Sequence, residues 1–384
     1  MLIGVDAREL EGKPHGVGRV LSNLLRNWAS THQSHKFILY FRNKVPDLDF
    51  LNCPHFEKKL LPLPRLINRG RIWEQMVLPS YIKRDGIDVF LSPAYVIPLL
   101  ANCPTVVMIF DISFQTYPET YSRVKGFFWR WLARQSVRTA KRIVCCSTHI
   151  KKEILLNYGL KQEEKVLTAF LGVERQFQPN SNESSRKLLA SKFNITQPFF
   201  LFAGTLFRRR NIQLMVQSFK KFSHHHSNAL LVIIGSPTAE FGHEVNQLKN
   251  LLQEYALKDK VIHFDYLSEE DLLAFFQSAI CFVYPSTYEG FGLPVAEAMA
   301  CGTPVIIPNT PTLVEIANGA AYVVDCLTQD NLCSAMISVF ENMEIRKELQ
   351  KKGLIQAQKF NWEKTSASVL ESIETVFNNP KSKG

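Results

Sequence analysis

The sequence predicts an α/β protein with two doubly wound, Rossmann-like domains, each built on a parallel sheet. Short apolar runs of strand length recur along the 384 residues, and helical patterns alternate with them. A polar stretch at 178–185 separates two series of such runs. We therefore expect residues 1–178 and 179–361 to form two domains, with ligands bound in a central cleft that faces the carboxyl ends of their strands.

The first series opens with a strand at Leu2–Ala7, a glycine loop and an amphipathic helix. Gly16 and Gly18 lie in that loop. A strand, a glycine loop and a helix in this order can present backbone N–H groups to a phosphate, and a plain tight turn is the alternative. Further strands are predicted at Phe37–Phe41, Val89–Leu91, Val106–Ile109, Ile143–Cys146 and Val166–Phe170.

The second series follows the polar stretch with the same alternation. Helices are predicted between its strands, and a helix from about Trp362 to Asn378 ends the pattern. The strands are predicted at Phe199–Ala203, Leu230–Ile234, Val261–Phe264, Ala279–Tyr284, Val305–Ile307 and Ala321–Val324.

The stretch YPSTYEGFGLPVAEAMACGTPVIIP, residues 284–308, carries the strongest functional signal. Two carboxylates, Glu289 and Glu297, flank a loop and a short helix predicted at about Pro294–Cys301, with Glu297 in its first turn. The N–H groups of a helix start can hold an anion, and a carboxylate accepts hydrogen bonds from sugar hydroxyls. A site for a phosphorylated polyol is predicted. The alternatives are that Glu297 only complements the helix dipole and that Glu289 is a solvated loop residue. The loop consists of Gly290, Phe291, Gly292 and Leu293.

A concentrated cationic segment lies where the first strand of the second series meets its helix. Gly204 and Thr205 end the strand, and the run Arg208-Arg209-Arg210 follows before Asn211. A solvated charged loop is the alternative to an anion site.

Both stretches resemble the retaining family-four (group 1) glycosyltransferases. Residues 289–306 resemble that family's E-x7-E signature, and residues 204–211 are similar to its G-T-x-x-x-R-K-N segment. Arg209 stands in the Arg position, and Arg210 replaces the Lys. The resemblance implies a GT-B fold, with a nucleotide-sugar donor on the C-terminal domain and an acceptor on the N-terminal domain. It also implies that residues 362–384 cross back to the N-terminal domain.

The resemblance further implies roles for single residues. Glu297 would bind the nucleotide ribose, and Glu289 with the loop 290–293 would hold the donor sugar. Arg209 and Arg210 would hold the diphosphate, beside Gly204 and Thr205. Gly16 and Gly18 would lie near the phosphate and the acceptor. Since no side chain is an obvious double-displacement nucleophile, departure of the diphosphate with front-face attack is the working hypothesis.

Asp111 is a further candidate catalytic residue. Residues 109–114 with Pro118-Glu119 resemble the family's H-D-L-S-F…P-E segment, in which Phe110 replaces the His that contacts the donor sugar. Asp111 would bind substrate hydroxyls, or it would cap the turn that follows.

No metal or other cofactor is expected. Asp47-Leu48-Asp49 is a D-x-D string, but it follows Pro46 in a polar segment and is interpreted as a surface turn. His224-His225-His226 is interpreted as a loop after a helix, since adjacent histidines do not share one face. The eight cysteines are scattered without a C-x-x-C pair, which indicates free thiols.

The excess of positive over negative charge lies in the first half of the chain. Residues 1–178 hold 26 Lys and Arg against 15 Asp and Glu, while 179–384 hold 19 against 20, so the net charge of +10 arises in the first half. Residues 126–142 interleave aromatic and basic side chains. An interfacial anchor on anionic lipid and a core helix with a solvated basic face both fit this pattern. Nucleic acid is not expected, because no binding motif accompanies the charge.

Location and activity follow as expectations. No stretch of about 18 uninterrupted apolar residues occurs, and Asp6 comes too early for a signal peptide. We expect a cytoplasmic protein, peripheral on the inner face of the membrane if residues 126–142 are an anchor. The expected activity is retaining transfer of a hexose from a GDP- or UDP-sugar to a glycan or lipid-linked saccharide in cell-surface polysaccharide synthesis.

The identity of the sugar rests on similarity alone. The segments around Asp111 and Arg209 are similar to those of bacterial mannosyltransferases, which favours mannose from GDP-mannose. Two alternatives stay open: a GT-B-fold nucleotide-sugar isomerase or epimerase, and a non-catalytic nucleotide-sugar-binding subunit.

Overall fold

The chain divides into two units in the computed structural model. Unit 1 comprises Met1–Gly172 and the segment from Asn361 onward, and unit 2 comprises Val173–Phe360. The first boundary lies before the polar stretch at 178–185, which falls inside unit 2. The structure describes residues 1–12, 16–31, 34–63, 70–118, 123–180, 182–236, 250, 252–253, 255 and 257–379.

Unit 1 alternates strands and helices. Its strands are β1 (Leu2–Asp6), β2 (Lys36–Phe41), β3 (Phe56–Leu60), β4 (Val89–Ser92), β5 (Thr105–Ile109), β6 (Arg142–Cys145) and β7 (Val166–Thr168). Its helices are α1 (Val17–Thr31), α2 (Gly70–Ile72), α3 (Leu78–Arg84), α4 (Ser113–Thr116), α5 (Arg123–Thr139) and α6 (Thr148–Tyr158). A π-helical turn at Trp73–Val77 joins α2 to α3.

Among the residues described, the strands of unit 1 pair in parallel in the order β3-β2-β1-β4-β5-β6-β7. The order reverses between β1 and β4, which is where open α/β sheets bind ligands at the carboxyl ends of their strands. Strands β4 and β5 are buried along their whole length, as expected for a sheet covered on both faces.

Unit 2 repeats this construction. Its strands are β8 (Phe199–Ala203), β9 (Leu230–Ile234), β10 (Val261–Phe264), β11 (Cys281–Val283), β12 (Val305–Pro308) and β13 (Tyr322–Val324). Its helices include α7 (Asn182–Phe193), α8 (Ile212–Ser223), α9 (Glu269–Ser278), α10 (Leu293–Ala300), α11 (Pro311–Ala317), α12 (Gln329–Glu341) and α13 (Met343–Ala357).

The described strands of unit 2 form a parallel sheet in the order β10-β9-β8-β11-β12-β13. The order reverses between β8 and β11. Strands β8 and β9, FFLFA and LLVII, are wholly buried, which explains why their bounds could be predicted from the sequence. The predicted fold class of two parallel-sheet, Rossmann-like domains is confirmed.

The last helix, α14 (Trp362–Asn378), belongs to unit 1. The Trp28 indole Nε1–H on α1 donates to the Ser366 carbonyl at 3.0 Å. Gly172 packs directly on the start of α14, where a Cβ atom would lie 2.3 Å from the Trp362 backbone nitrogen. Glycine is therefore required there for close approach of two backbone segments.

Two local predictions differ from the structure. Strand β3, FEKKL, was missed because its charged residues hide the alternation of a strand at the sheet edge. Gly18 lies inside α1 rather than in the loop before it. Among the described residues, none of the helices combines the length and the hydropathy that a membrane span requires.

Candidate functional site

The site of unit 2 is built by two loops that leave adjacent strands. Gly204 and the arginine run follow β8, and the stretch from Tyr284 to Glu289 follows β11. Because β8 and β11 are parallel neighbours, both loops emerge at the carboxyl edge of the sheet, at its switch point. The structure therefore brings together the two stretches that the sequence analysis singled out.

Glu289 is the centre of this site. Its Oε1 atom accepts three hydrogen bonds, from Arg210 Nε at 3.0 Å, the Tyr284 hydroxyl at 2.8 Å and the Ser286 hydroxyl at 3.0 Å. No described side chain donates to Oε2. One oxygen is thus saturated by the protein, while the other has its lone pairs available for a ligand.

The charge state of Glu289 follows from these partners. Burial by itself raises the pKa of the carboxyl group, but the positive charges of Arg210 and Arg209 and the hydrogen bonds from Arg210 and Tyr284 outweigh it. The pKa of Glu289 is consequently held below its ordinary value, so the group is a carboxylate at neutral pH. Burial above all raises the pKa of Tyr284, which stays a neutral donor.

Arg210 is buried and bound on two sides. Besides Glu289, it donates from Nη1 to the Thr205 carbonyl at 2.7 Å. Its guanidinium lies over the rings of Phe207 and Tyr284, 5.3 Å from each centroid. Gly204 has a φ of +143° and makes room for it, since a Cβ atom there would be 2.7 Å from Arg210 Nη1. Arg210 therefore holds Glu289 in place and also supplies a positive charge beside that carboxylate.

Arg209 has a different environment. It is half-buried, its Nε atom is buried without a hydrogen-bond partner, and its guanidinium stacks 4.5 Å over Phe207. No carboxylate among the described residues lies within ion-pair distance of it. The sequence does not distinguish the two arginines. In the structure, Arg210 forms an ion pair with Glu289, whereas Arg209 acts on Glu289 only from a greater distance and has no ion pair among the described residues.

Hydrogen bonds to backbone carbonyls hold the two loops together. Asn211, in the left-handed conformation with φ of 50°, donates from Nδ2 to the Pro285 carbonyl at 2.9 Å. The Thr287 N–H donates to the Arg209 carbonyl at 2.9 Å. Two hydrogen bonds to backbone carbonyls therefore fix the distance between Arg209 and the loop that carries Glu289.

The glycine loop leads from Glu289 into α10. Gly292 has a φ of +93°, and a Cβ atom there would collide with Leu313 at 2.6 Å, so the turn needs glycine. Phe291 is buried against Phe360, edge to face at 5.3 Å. Leu293 starts the helix, and Pro294, which has no N–H group, lies in its first turn. The N–H groups of Val295 and Ala296 donate to the Gly292 carbonyl at 2.9 and 3.2 Å, so the backbone donor left for an anion at this helix start is the Leu293 N–H.

Glu297 lies deeper than predicted. It is buried, and α10 begins at Leu293, so Glu297 belongs to the second turn and not the first. The dipole interpretation of Glu297 loses its basis, because that effect fades within the first turn. Its role towards a ribose stays a prediction.

The predicted residues of unit 1 have simpler surroundings. Gly16 has a φ of +51° just before α1, and Gly18 lies in the first turn of that helix; residues 13–15 of the same loop fall outside the described residues. Asp111 accepts from the Ser113 N–H at 2.8 Å and from the Tyr95 hydroxyl at 3.2 Å. This contact supports the turn-capping interpretation of Asp111, and its binding of substrate hydroxyls stays a prediction.

No group of three or more His, Cys, Asp and Glu that could hold a metal occurs among the residues the structure describes. Asp47 and Asp49 are both exposed at the start of a short 3₁₀ helix. The three histidines at 224–226 follow the end of α8 in a turn, as predicted. Independence from metal stays a prediction.

Two functional residues were missed in the sequence. Tyr284 was assigned to a strand and Ser286 to the connecting loop, yet both donate to Glu289. A signal for Tyr284 existed, since a buried tyrosine hydroxyl at the end of a core strand usually needs an acceptor. Ser286 is held in turn by Thr310, whose hydroxyl donates to the Ser286 carbonyl at 2.7 Å.

Comparison with known proteins agrees with this geometry. The family model of the group 1 glycosyl transferases matches residues 185–355, and that of glycosyltransferase family 4 matches residues 14–175. O-antigen chain mannosyltransferase B of Escherichia coli is 28% identical over 300 residues, 77% of each chain. The O-antigen chain mannosyltransferase RfbU of Salmonella typhimurium is 26% identical over 309 residues, 75% of this chain and 80% of that protein.

A solved structure shows the same fold. The Anabaena protein HepE, crystallised with UDP and glucose, superimposes with a TM-score of 0.78 at 15% identity, covering 97% of this chain and 99% of that one. Two parallel sheets with the strand orders given above are the architecture of GT-B proteins. With both family models matched in adjacent parts of the chain, the protein belongs to the group 1 glycosyltransferases.

Proposed function

We propose that the protein transfers a hexose, with mannose from GDP-mannose as the leading candidate, from a nucleotide-sugar to a glycan or lipid-linked saccharide in cell-surface polysaccharide synthesis. Transfer proceeds with retention and without a metal. The observation that carries the proposal is the Glu289 carboxylate with one saturated and one available oxygen, next to Arg209, whose Nε atom has no hydrogen-bond partner.

Arg209 is the proposed ligand of the donor diphosphate. The leaving group of a nucleotide-sugar gains negative charge as the glycosidic bond breaks, and a fixed cation stabilises that charge. At about 4 Å and an effective dielectric of ~20, one cation contributes roughly 4 kcal/mol. The Leu293 N–H group at the start of α10 (Leu293–Ala300) would supply a further hydrogen bond to the diphosphate.

Glu289 is proposed to orient the donor sugar rather than to attack it. Its Oε2 atom would accept hydrogen bonds from sugar hydroxyls, while Oε1 stays occupied by Arg210, Tyr284 and Ser286. A carboxylate that three donors stabilise is a weak nucleophile. Departure of the diphosphate with attack of the acceptor from the same face is therefore the proposed mechanism, with Glu297 on the ribose.

The choice of mannose and of the acceptor class rests on the relatives. Both O-antigen chain mannosyltransferases reported above match three quarters or more of this chain. HepE was crystallised with UDP, so a UDP-sugar remains the second donor to test.

A thermal-shift panel tests the donor site. UDP, GDP, ADP and their common sugars are added to the protein with EDTA present. We expect one nucleotide to raise the melting temperature selectively, GDP first. No shift from any of them in the folded protein would contradict the proposal and favour a chain that has lost its donor site.

We further propose that α5 (Arg123–Thr139) contacts an anionic lipid surface. Phe127, Phe128 and Trp131 are 69%, 48% and 46% exposed, and Phe128 stacks on Trp131 at 6.1 Å. Arg134 and Arg138 continue the same exposed stripe at helical spacing. An exposed aromatic stripe next to arginines is typical of interfacial helices, and a solvated basic face alone does not explain it.

Vesicle pelleting tests this contact. A variant with Phe127, Phe128 and Trp131 changed to Ser should lose binding to vesicles with a phosphatidylserine fraction at low salt, because the inserted apolar area is removed. Leu156→Ser removes an apolar side chain that is 83% exposed on another helix, and is the matched control. Absence of binding by the unmodified protein would overturn the proposal.

A further inference from the structure

One aromatic side chain contacts both arginines of the candidate site in unit 2. Phe207 lies between β8 and the arginine run, and it is half-buried. The guanidinium carbon of Arg209 lies 4.5 Å from the centroid of the Phe207 ring, and that of Arg210 lies 5.3 Å from it. Arg208 is exposed, and no aromatic ring of the described residues lies under it. The Phe207 ring is therefore a contact that only two of the three arginines share.

Hydrogen bonds hold the backbone of Phe207 on both sides. Its N–H group donates to the Thr205 carbonyl at 2.9 Å, and its carbonyl accepts from the Arg210 N–H at 2.9 Å. Phe207 itself has an extended backbone, with φ of −83° and ψ of 147°, directly before the 3₁₀ turn Arg208–Arg210. The ring thus projects from a fixed segment and supports the arginine side chains from a defined position.

The two arginines depend on this ring to different degrees. Arg210 is also held by the Glu289 carboxylate and by the Thr205 carbonyl. For Arg209, no group of the described residues accepts a hydrogen bond from the guanidinium, and none forms an ion pair with it. The ring of Phe207 is consequently the direct contact that the structure shows for the Arg209 side chain.

This type of contact keeps the arginine ready for an anion. An aromatic ring attracts a cation through the electrons of its face and takes up none of the five N–H donors of a guanidinium. A carboxylate in the same place would occupy those donors and offset the charge. Arginine also has a long side chain whose rotamer freedom is lost when it binds a ligand, and a guanidinium that is already held over a ring loses less.

We propose that Phe207 is a positioning residue of the donor site, which holds the Arg209 guanidinium in place for the donor diphosphate. The inference rests on the proposed function and adds to it a residue that acts through Arg209. The ring should therefore matter for nucleotide binding only as long as Arg209 is present.

A double-mutant cycle measured by isothermal titration tests the inference. GDP is titrated with EDTA present, or UDP if that is the nucleotide that binds the unmodified protein. The variants are Phe207→Leu, Arg209→Gln and the two together. Phe207→Tyr keeps the ring and is the conservative variant. Phe377→Leu removes a phenylalanine that is 43% exposed on α14 (Trp362–Asn378) and is the matched control.

We expect Phe207→Leu to weaken nucleotide binding about fivefold, the size of a partly buried cation–π contact. Phe207→Tyr and Phe377→Leu should bind as the unmodified protein does. In the Arg209→Gln background, Phe207→Leu should cause no further loss, because the ring then has no cation to position. If Phe207→Leu fails to fold, Phe207→Met, which is also apolar and lacks the ring, takes its place in the cycle.

Two results would overturn the inference. One is a Phe207→Leu variant that binds the nucleotide as tightly as the unmodified protein. The other is an equal loss from Phe207→Leu with and without Arg209, which would mean that the ring only supports the fold of the loop. Failure of the unmodified protein to bind either GDP or UDP would instead refute the proposed donor site on which the inference rests.

Discussion

The carboxyl edges of the two sheets each hold a buried carboxylate that is paired with arginine, but the other partners of the two carboxylates differ. In unit 2, Arg210 pairs with Glu289, which also accepts from Tyr284 and Ser286. In unit 1, the buried Glu74 forms ion pairs with two arginines, Arg8 and Arg71. Each edge also holds one arginine whose Nε is buried without a partner, Arg209 in unit 2 and Arg42 in unit 1.

The comparison distinguishes arginines that stabilise the local structure from arginines that are available to bind a ligand. An arginine paired to a buried carboxylate fixes local shape, because breaking such a pair leaves an uncompensated charge inside the protein. An arginine that lacks a carboxylate has its charge available for a ligand. Glu289 is 8% exposed: its Oε1 atom pairs with Arg210, and its Oε2 atom is available for a ligand. Glu74 is 0% exposed and only pairs with arginines.

The largest expected effect is that of Arg210→Ala. Removing a buried ion-pair partner should lower the free energy of unfolding by about 3–5 kcal/mol, and the misplaced Glu289 should lower turnover by about 10³. Urea unfolding and single-turnover assays measure the two quantities. Arg208→Ala removes an exposed neighbour and should change neither. A loss of turnover below about tenfold would remove Arg210 from the catalytic site.

Arg209→Gln should have a more selective effect. Because this side chain forms no ion pair with a described carboxylate, the unfolding free energy should stay within ~0.5 kcal/mol of the unmodified value. The affinity for the nucleoside diphosphate should fall by about 10² or more, since one cation is lost from the diphosphate. Calorimetric titration measures it. Equal affinities in Arg209→Gln and Arg208→Gln would show that the diphosphate binds elsewhere.

The smallest effect concerns acid stability, and it has opposite signs in the two units. The pKa of Glu289 lies below its ordinary value of 4.5 because the arginine charges outweigh burial. Its stabilisation is therefore complete above pH 4.5 and lost as the pH falls through the folded-state pKa. The pKa of Glu74 is raised, chiefly by burial, so its contribution to stability grows as the pH falls.

Unfolding by urea between pH 6 and pH 3 compares the variants. Glu289→Gln should lose less stability on acidification than the unmodified protein, and Glu74→Gln should lose more. If the unfolding free energies of the two variants change with pH in the same way, the assigned environments of these carboxylates are wrong.

The fold was largely predictable because most strands are buried and apolar. Strands β8, β9 and β10 were predicted with the bounds that the structure shows. The exceptions have a physical cause: β3 is an edge strand with exposed charges, and its apolar residues do not alternate over enough positions.

The candidate site was predictable as a set of residues but not as an arrangement. The sequence indicated Glu289, Arg209 and Arg210, yet it could not show which arginine is neutralised. That distinction depends on the left-handed Asn211 and on the packing of Gly204 against Arg210. The ion pair between Arg8 and Glu74 in unit 1 was missed because the end of β1 and the helical segment that starts at Gly70 are far apart in the chain and meet only at the edge of the sheet.

The central claim is that Arg209 holds the donor diphosphate and Glu289 the donor sugar. Titrating GDP and GDP-mannose into Arg209→Gln and Glu289→Gln with EDTA present tests it most directly. The account predicts that Arg209→Gln weakens the binding of both ligands, while Glu289→Gln weakens the binding of GDP-mannose and leaves that of GDP unchanged. Unchanged binding of GDP by Arg209→Gln, or equal loss of GDP and GDP-mannose in Glu289→Gln, would contradict it.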